Sequence, residues 1–366
     1  MPERPVRAEL SVVALQGIPE IGEQDDVAQL LLDSVALGSV SLGSVSLGSA
    51  RPLVDGDILV VSSKVISKAA GLTRPARQRD DAVAEQSLRV VSERRTARGL
   101  AQVVQSVAGP VMAAAGVDSS NAPRDTVLLL PSDPDAAARD LRARLRSLGA
   151  PCVAVVITDT AGRPWRAGLT DFALGCAGLV VSEDLRGTPD AGGTPLTVTE
   201  RAIADEVAAA ADLVKGKATG VPAAVVRGLG AFVMQDDGPG ASSLLRDPAS
   251  DWFRLGHVEA VRAALGVPAG AVEAPSVEPE PLPHKAQRAL EIAFFELADT
   301  LGSTLRRDGD DVLLTLTAVD DFTAGMLTAR LLAALWAEDL LAAPHHDPAT
   351  GRTQIRISEP PGIVGG

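Results

Sequence analysis

Residues 155–179 read VVITDTAGRPWRAGLTDFALGCAGL, and this stretch decides the fold that the chain predicts. It continues an apolar, mostly β-branched run that begins at Val153, and such a run predicts a strand buried on both faces of a sheet. Thr158, Asp159 and Thr160 come directly after the run. A carboxylate between two hydroxyl groups is therefore expected at the C-terminal end of a strand, where open α/β sheets bind their ligands.

The next residues, 162–168, include Arg163, Trp165 and Arg166 and are predicted to form a loop. A carboxylate and a hydroxyl on a rigid strand end can ligate a hard cation, and two arginines can hold anionic oxygens in a bidentate manner. Taken one at a time, these residues are more typical of turn caps and surface ion pairs. Together they favour phosphate chemistry, with Asp159, Arg163 and Arg166 as candidate catalytic residues.

Length and composition limit the classes of protein to consider. A chain of 366 residues exceeds what one hydrophobic core normally serves, so two domains are expected. The formal charge of -13 and the aromatic content of 2% argue against a nucleic-acid surface. Cys152 and Cys176 are far apart and suit a reducing compartment, and no apolar segment has the length of a signal or membrane span. These features predict a cytoplasmic globular protein without membrane or nucleic-acid partners.

The N-terminal part predicts a strand at 8–15, a turn at 17–21 and a helix capped by Asp25 or Asp26. Residues 37–50 then repeat five residues almost without change, LGSVSLGSVSLGSA. The copies are too few for a solenoid, so a pliant inserted loop that arose by slipped replication is expected.

A second buried strand with a polar end lies in DILVVSSKVISKAAG, residues 57–71. Ser63, Lys64 and Lys68 follow the strand, and hydroxyl and ammonium groups in this place can cradle phosphate, although the spacing is not that of a P-loop.

A charged stretch at 77–98 is predicted to be a solvent-facing helix. Asp118 and Asn121 lie in a later turn, which either caps a helix or presents oxygens to a metal.

The remaining elements are predicted from periodicity and capping residues. They are helices at 134–147, from a Thr199 cap to 214, and at 252–265, 284–302 and 322–341, with strands at 223–226, 312–316 and 354–357. A Pro- and Glu-rich linker at 268–283 divides a domain at 1–267 from a small α/β accessory domain of unassigned role at 284–366. His345, His346 and Asp347 are interpreted as a solvated loop, because adjacent histidines point in different directions.

Six blocks, in order along the chain, resemble the coenzyme F420:L-glutamate ligase (CofE) family. They are GIPEI, DILVVSSKVISKAAG, AAAGVDSSN, VVITDTAGRPWRAGLTD, VTERAIADEVAAAADLVKGK and AVVRGLG. The resemblance, which runs from about Leu10 to Leu265, implies a mixed α/β ligase fold of CofE-like type and an intertwined homodimer. It also implies GTP-dependent addition of L-glutamate to F420-0, a phosphate-containing deazaflavin precursor, through an acyl phosphate.

Residue by residue, the resemblance implies that Asp118, Asp159 and Thr160 ligate Mg²⁺ or Mn²⁺, with K⁺ as a further candidate. It implies contacts with GTP at the matching positions Ile18, Pro19, Glu20, Ile21, Ser63, Lys64, Lys68, Asn121, Gly216 and Lys217. Archaeal members carry a metal-contacting glutamine where Lys217 aligns. Because a charged lysine cannot ligate Mg²⁺, either one metal has fewer protein ligands or the ammonium replaces part of its charge.

The segment after the linker is a second departure from the family pattern. Two-domain actinobacterial relatives carry a flavin-dependent nitroreductase-like domain there, whereas residues 284–366 are too few and do not match it. No FMN is therefore expected. Two other functions stay open at this stage: a non-catalytic nucleotide- or deazaflavin-binding homologue, and a phosphatase or other transferase that uses the same metal cluster.

Overall fold

The computed structural model describes residues 9–38, 52–297 and 302–361. The described chain divides into two compact units. Unit 1 holds the residues up to Leu88 together with Gln105–Asp247, and unit 2 holds Arg89–Val104 together with the residues from Pro248 onward. Residues 39–50 of the predicted repeat lie outside the described ranges.

Strands and helices alternate along much of the chain, and the predicted mixed α/β class is confirmed. In chain order, the strands are β1 Ser11–Ala14, β2 Ile58–Ser62, β3 Thr73–Pro75, β4 Ser87–Thr96, β5 Gly99–Ser106, β6 Val111–Ala113, β7 Thr126–Leu128, β8 Ala154–Arg163, β9 Arg166–Ala177, β10 Glu183–Asp184, β11 Glu200–Arg201, β12 Ala223–Arg227, β13 Gly302–Asp308, β14 Asp311–Thr317, β15 Leu341–Asp347 and β16 Arg352–Ser358. The helices are α1 Val27–Gly38, α2 Ser63–Ala69, α3 Arg79–Glu85, α4 Pro134–Ser147, α5 Ile203–Lys215, α6 His257–Ala264, α7 Leu282–Ala293 and α8 Asp321–Ala337.

The centre of unit 1 is a five-stranded sheet in the order β1-β12-β2-β8-β9. β2 and β8 are parallel and align Ser62 with Thr158, whereas the other neighbouring pairs are antiparallel. The C-terminal ends of β1, β2 and β8 and the N-terminal end of β12 consequently meet at one edge of the sheet. The segments that follow or precede these strand ends are brought together there.

The two central strands are buried on both faces, as the apolar run of β8 predicted. Val61 and Ile157 lie in a core with α1 and α4, whereas Val60 and Val156 lie in a second core with α5. All four side chains are 0% exposed. Unit 1 therefore has three layers, with helices on both faces of the sheet, and burial of each of these side chains stabilises it by about 1.5–3 kcal/mol.

Unit 2 is built on an antiparallel sheet in the order β13-β14-β16-β15. Leu314 and Ile355 of this sheet form a core with Leu335 of α8 and with α7. The segment predicted as a linker belongs to the same unit. The Arg95 N–H of β4 donates to the Pro275 carbonyl at 2.8 Å, and the Val277 N–H donates to the Arg95 carbonyl at 3.0 Å. The predicted domain boundaries at 267 and 284 remain a prediction, because the structure does not test whether the segments on either side fold independently.

Buried ion pairs stabilise the interior of unit 2. Arg288, which is 2% exposed, donates to both carboxylate oxygens of Glu280 at 2.9 and 2.7 Å and from Nε to Glu338 at 3.0 Å. The bonds from Arg288 lower the pKa of Glu280 to about 2. Breaking a buried pair of this kind by removing one partner costs about 3–5 kcal/mol, because it leaves an uncompensated charge.

The prediction of a helix at 77–98 is wrong beyond Glu85, because a 3-10 turn at Ala76–Gln78 and α3 are helical and the chain then forms β4. Val91 and Glu93 of β4 are both buried, so the inward face alternates in the period of a strand. The Glu93 carboxylate lies 3.6 Å from the buried Arg262 guanidinium. The alternation could not be recognised from the sequence because one of the inward-facing side chains, Glu93, is charged.

Two smaller predictions are also corrected. Thr199 caps no helix, since β11 follows it and α5 begins at Ile203. His345–Asp347 form part of the edge strand β15 and not a loop, and His346 Nδ1 lies 2.9 Å from Thr353 Oγ1 on β16. In the part of the chain that the structure describes, no helix has the length and apolar character needed to cross a bilayer.

Candidate active site

One cleft opens at the sheet edge where the four strand ends meet. Among the predicted site residues, those that line it are Ile18, Pro19, Glu20, Ile21, Lys64, Lys68, Asn121, Asp159, Thr160, Gly216 and Lys217. The first four follow β1, the two lysines lie on α2, and the last two precede β12. Parallel pairing of β2 with β8 explains why residues nearly 100 positions apart share the cleft.

Lys64 connects α2 to the turn that contains Asp118. Its ammonium donates to the Asp118 carboxylate, to the Ser120 hydroxyl and, at 2.9 Å, to the Ser120 carbonyl. Asp118 also accepts the Ser120 N–H at 2.8 Å, which is the turn geometry that the sequence suggested. Burial opposes ionisation of Asp118, but the bonds from Lys64 and Ser120 outweigh it and lower the pKa of this carboxyl group.

Asp159 is in the opposite electrostatic situation. Burial raises its pKa to about 6, and the nearby carboxylates of Asp118 and Asp171 add to the effect. The Thr160 backbone N–H and the charge of Lys64 counteract it only in part. No side chain within the described ranges donates a hydrogen bond to the Asp159 carboxylate, so a negative charge at this half-buried position has no ion-pair partner of its own.

Two further lysines line the cleft. Lys217 donates to the Thr160 hydroxyl, and Lys68 donates to the Glu20 carboxylate. Both partners are small or exposed groups that an incoming anion can replace. Four ammonium groups, counting those of Lys64 and Lys215, therefore line one cleft in a protein whose overall charge is negative, together with the carboxylates of Glu20, Asp159, Asp171 and Asp212.

The sequence reasoning missed a buried ion pair in the lining of the cleft. Lys215, at the end of α5, donates to Asp171 at 2.7 Å and to the Thr158 hydroxyl at 2.8 Å. Asp171 also accepts from the hydroxyls of Thr158 at 2.9 Å and Thr160 at 2.6 Å. Burial opposes ionisation of Asp171, but Lys215 outweighs it and lowers the pKa of the carboxyl group. The signal that points to Asp171 is its register opposite Thr160 across the β8–β9 hairpin.

The predicted loop around Arg163 and Arg166 is wrong. β8 and β9 continue to these residues, which pair with each other, so that only Pro164 and Trp165 form the turn. Both arginines are exposed at the hairpin tip and do not line the cleft. Their predicted catalytic role stays a prediction.

Two other predicted residues lie just behind the cleft wall. Asp118 contacts the cleft through Lys64 and Ser120. Ser63 is 1% exposed, and its hydroxyl has no hydrogen-bond partner among the residues that the structure describes. A buried hydroxyl without a partner is unusual, since most such groups are satisfied.

The donor set fits a hard divalent cation. Asp118 and Asp159 offer carboxylate oxygens and Thr160 offers a hydroxyl, the ligand types that Mg²⁺ and Mn²⁺ prefer. The half-buried carboxylate of Asp159, with its raised pKa, is the observation that supports the fit, because a bound cation would compensate its charge. In this structure the Thr160 hydroxyl accepts a hydrogen bond from the Lys217 ammonium.

A three-layer α/β fold with a polar cleft at the C-terminal ends of its parallel strands is the architecture of an α/β enzyme, and four lysines and four carboxylates line the cleft here. Residues 17–228 match the family described as F420-0:Gamma-glutamyl ligase. The chain belongs to this family.

The curated relatives agree with the family match. The chain is 36% identical over 247 residues to the coenzyme F420:L-glutamate ligase of Methanopyrus kandleri, which covers 63% of this chain and 92% of that protein. It is 35% identical over 266 residues to the enzyme of the same name from Haloarcula marismortui, which covers 67% of this chain and 96% of that protein. The family match ends at residue 228, so unit 2 lies largely outside it.

Proposed function

We propose that this protein is a GTP-dependent ligase that joins L-glutamate to the carboxylate of F420-0 in coenzyme F420 biosynthesis. The observation that carries the proposal is the convergence of Lys64, Lys68 and Lys217 on the cleft that holds the half-buried carboxylate of Asp159. A nucleoside triphosphate and two carboxylate substrates require such cations. Phosphoryl transfer depends mainly on positioning and charge neutralisation, which this cleft can supply.

The proposed chemistry has two steps, because a free carboxylate is a poor acylating agent. First, the γ-phosphoryl group of GTP moves to a carboxylate oxygen of F420-0, which releases GDP and forms an acyl phosphate. The amine of glutamate then attacks the acyl carbon, and the bond between that carbon and the phosphate oxygen breaks. The products are an amide, inorganic phosphate and the proton that leaves the amine.

The lysines bind and orient the anionic groups in this scheme. Lys64 and Lys68 are on one helix, one turn apart, so that both can reach the phosphates of one nucleotide. Lys217 approaches from the segment before β12 and reaches the Thr160 end of the cleft. Each ammonium would exchange its present hydroxyl or carboxylate partner for a substrate oxygen, which is a charge-assisted bond of similar geometry.

Asp118, Asp159 and Thr160 would hold Mg²⁺ or Mn²⁺. When bound, the ion neutralises phosphate charge and polarises the group that is transferred. Lys217 already brings a positive charge to Thr160, so we propose one divalent ion in each chain and not two. The homodimer and the cytoplasmic location that the resemblance and composition imply belong to the same proposal.

The test is product mass after incubation of the purified protein with F420-0, L-glutamate, GTP and Mg²⁺. We expect a mass increase of one or more glutamyl residues that requires GTP and is lost in Asp159→Asn. Asp80→Asn is the matched control, because Asp80 is 99% exposed. GTP hydrolysis without a mass increase would point to a phosphatase, and GTP binding without any reaction would point to a non-catalytic homologue. Either result would contradict the proposal.

A further inference from the structure

The outward face of α8 carries an uncovered apolar stripe. It consists of Phe322, Met326, Ala329, Leu332 and Trp336, with the small residues Gly325 and Ala333 between them, and is called the α8 stripe below. These positions are spaced by three and four residues, so they lie along one face of the helix. The opposite face, with Leu327, Leu331 and Leu335, is buried in the core of unit 2.

The large side chains of the α8 stripe are exposed far more than a core helix requires. Phe322 is 81% exposed, Trp336 62% and Met326 41%. The rings of Trp336 and His257 meet edge to face with their centroids 6.2 Å apart, and this contact leaves most of the indole uncovered. The largest apolar patch on a typical monomeric protein covers about 300–600 Å² and is often functional, so a patch of this kind with two aromatic rings is a candidate interaction surface.

Gly325 gives an independent indication of a partner. Glycine weakens a helix interior relative to alanine, so it needs a reason in the packing. A Cβ placed on Gly325 would meet nothing within 4 Å, so no close approach of the described chain explains it. Small residues on a helix face permit the near approach of a second helix.

The order of residues in the α8 stripe identifies the partner. The residues form pairs at equal sequence distances on either side of Ala329. Met326 and Leu332 are three positions from it, and Gly325 and Ala333 are four positions from it. Phe322 and Trp336 are seven positions from it. Residues of matching size therefore stand at equal distances on both sides of one centre. A two-fold interface needs such a self-complementary surface, because each residue meets its counterpart in the reversed order.

We propose that the α8 stripe is a dimerisation surface whose occupant is the α8 stripe of a second copy of this chain. The two helices pack antiparallel with Ala329 on the two-fold axis. Phe322 of each copy then faces Trp336 of the other, and Gly325 faces Ala333. The inference concerns unit 2 alone and does not depend on the proposed ligase activity.

Charge permits this contact and sets its salt dependence. Arg330 is the charged residue inside the span of the stripe, and it is turned away, with Nε on the Ala293 carbonyl at 2.6 Å and Nη2 on the Leu265 carbonyl at 2.9 Å. At the ends, Asp320 and Asp321 of one copy approach Asp339 of the other. These like charges repel, so added salt should strengthen the dimer by screening.

The area of the α8 stripe indicates a weak dimer. Two aromatic side chains of about 150–250 Å² each, at the exposures given above, together with Met326, offer about 400 Å² on each copy. A total of about 800 Å² lies below the range of stable specific interfaces, so a dissociation constant that is micromolar or weaker is expected.

Sedimentation of the full-length protein across the micromolar range tests the proposal. We expect the mass to double with rising concentration, more readily at high salt, and Ala329→Arg to weaken this step at least tenfold. Gly325→Gln should weaken it too while raising the thermal midpoint, since glutamine favours the helix and clashes with nothing in its own chain. Val198→Arg, at a residue 85% exposed elsewhere, is the matched control. Comparison with the variants separates this step from any association through unit 1.

Cysteine pairs test the register. In a Cys152→Ser background, Ala329→Cys should form a disulfide-linked dimer after mild oxidation, because two copies of this residue meet on the axis. Phe322→Cys and Trp336→Cys should crosslink when mixed and not when oxidised alone. Crosslinks of Phe322→Cys to itself, or association that is the same in Ala329→Arg, Gly325→Gln and the parent protein, would overturn the proposal.

Discussion

Asp159 and Asp171 lie on adjacent strands and both line the cleft, yet their charges are compensated differently. Asp171 has Lys215 and two threonine hydroxyls within hydrogen-bonding distance, whereas Asp159 has a backbone N–H and the more distant charge of Lys64. A carboxylate with a partner of its own serves the fold, and a carboxylate without one is available to a ligand. Two aspartates of one cleft therefore have different roles: Asp171 stabilises the fold, and Asp159 is available to a ligand.

We expect Lys215→Met to destabilise unit 1 by about 3–5 kcal/mol, because it leaves the buried Asp171 charge without its partner. Adding Asp171→Asn should recover a large part of this loss, since the charge is then removed as well. Urea unfolding of the two single variants and the double variant measures the coupling. Additive losses would show that the two residues do not act as a pair.

Asp159→Asn should leave the thermal midpoint unchanged or raise it, because burial penalises the charged form of this group. The same variant should lose the stabilisation that Mg²⁺ gives the parent protein. Thermal unfolding with and without Mg²⁺ measures both effects, with Asp80→Asn as the control. Equal Mg²⁺ stabilisation in the parent and in Asp159→Asn would exclude Asp159 as a ligand.

Sequence reasoning located the cleft because most of its residues follow buried strands that are easy to recognise. Lys64, Asp159 and Thr160 come directly after such runs, and the parallel pairing of β2 and β8 brings them together. Asp171 and Lys215 could not be found in the same way. Their positions depend on a two-residue hairpin turn and on the docking of α5, and neither is a local property of the chain.

Helix α4 illustrates how far local signals define an element. The sequence predicts 134–147, and the structure has Pro134–Ser147 with the Asp133 carboxylate accepting the Ala136 N–H at 2.8 Å. A cap, a proline in the first turn and buried Leu141 and Leu145 all indicate the same helix. Strand β4 was not predicted, for the opposite reason: one of its inward side chains is the charged Glu93, which a local pattern assigns to the surface.

We expect Asp133→Ala to lower the free energy of unfolding by about 1 kcal/mol, because the Ala136 N–H loses its capping acceptor. Asp140→Ala, on the exposed part of the same helix, is the matched control and should have little effect or stabilise slightly. Denaturant unfolding measures the difference between the two variants. A loss in Asp140→Ala as large as that in Asp133→Ala would argue against a capping effect.

At the scale of the molecule, the ion pairs of unit 2 predict how stability depends on pH. The pKa of Glu280 falls from its ordinary value of 4.5 to about 2 in the folded state, chiefly through Arg288. Its contribution is therefore complete above pH 4.5 and is lost as the pH falls from 4.5 towards 2. Glu280→Gln should flatten this part of the stability profile, whereas Glu278→Gln, at an exposed position, should not. Unfolding measured between these pH values distinguishes the two variants.

Residues 89–104 belong to unit 2, although unit 1 both precedes and follows them in the chain. During synthesis this segment leaves the ribosome long before Pro248, where the rest of its unit begins. At roughly 5–20 residues per second, the delay is on the order of 10–30 seconds. Throughout that interval β4 lacks the hydrogen bonds that Arg95 later makes with Pro275 and Val277. The newly made β4 therefore presents unpaired backbone groups during this interval, which are open to wrong pairing until unit 2 is complete.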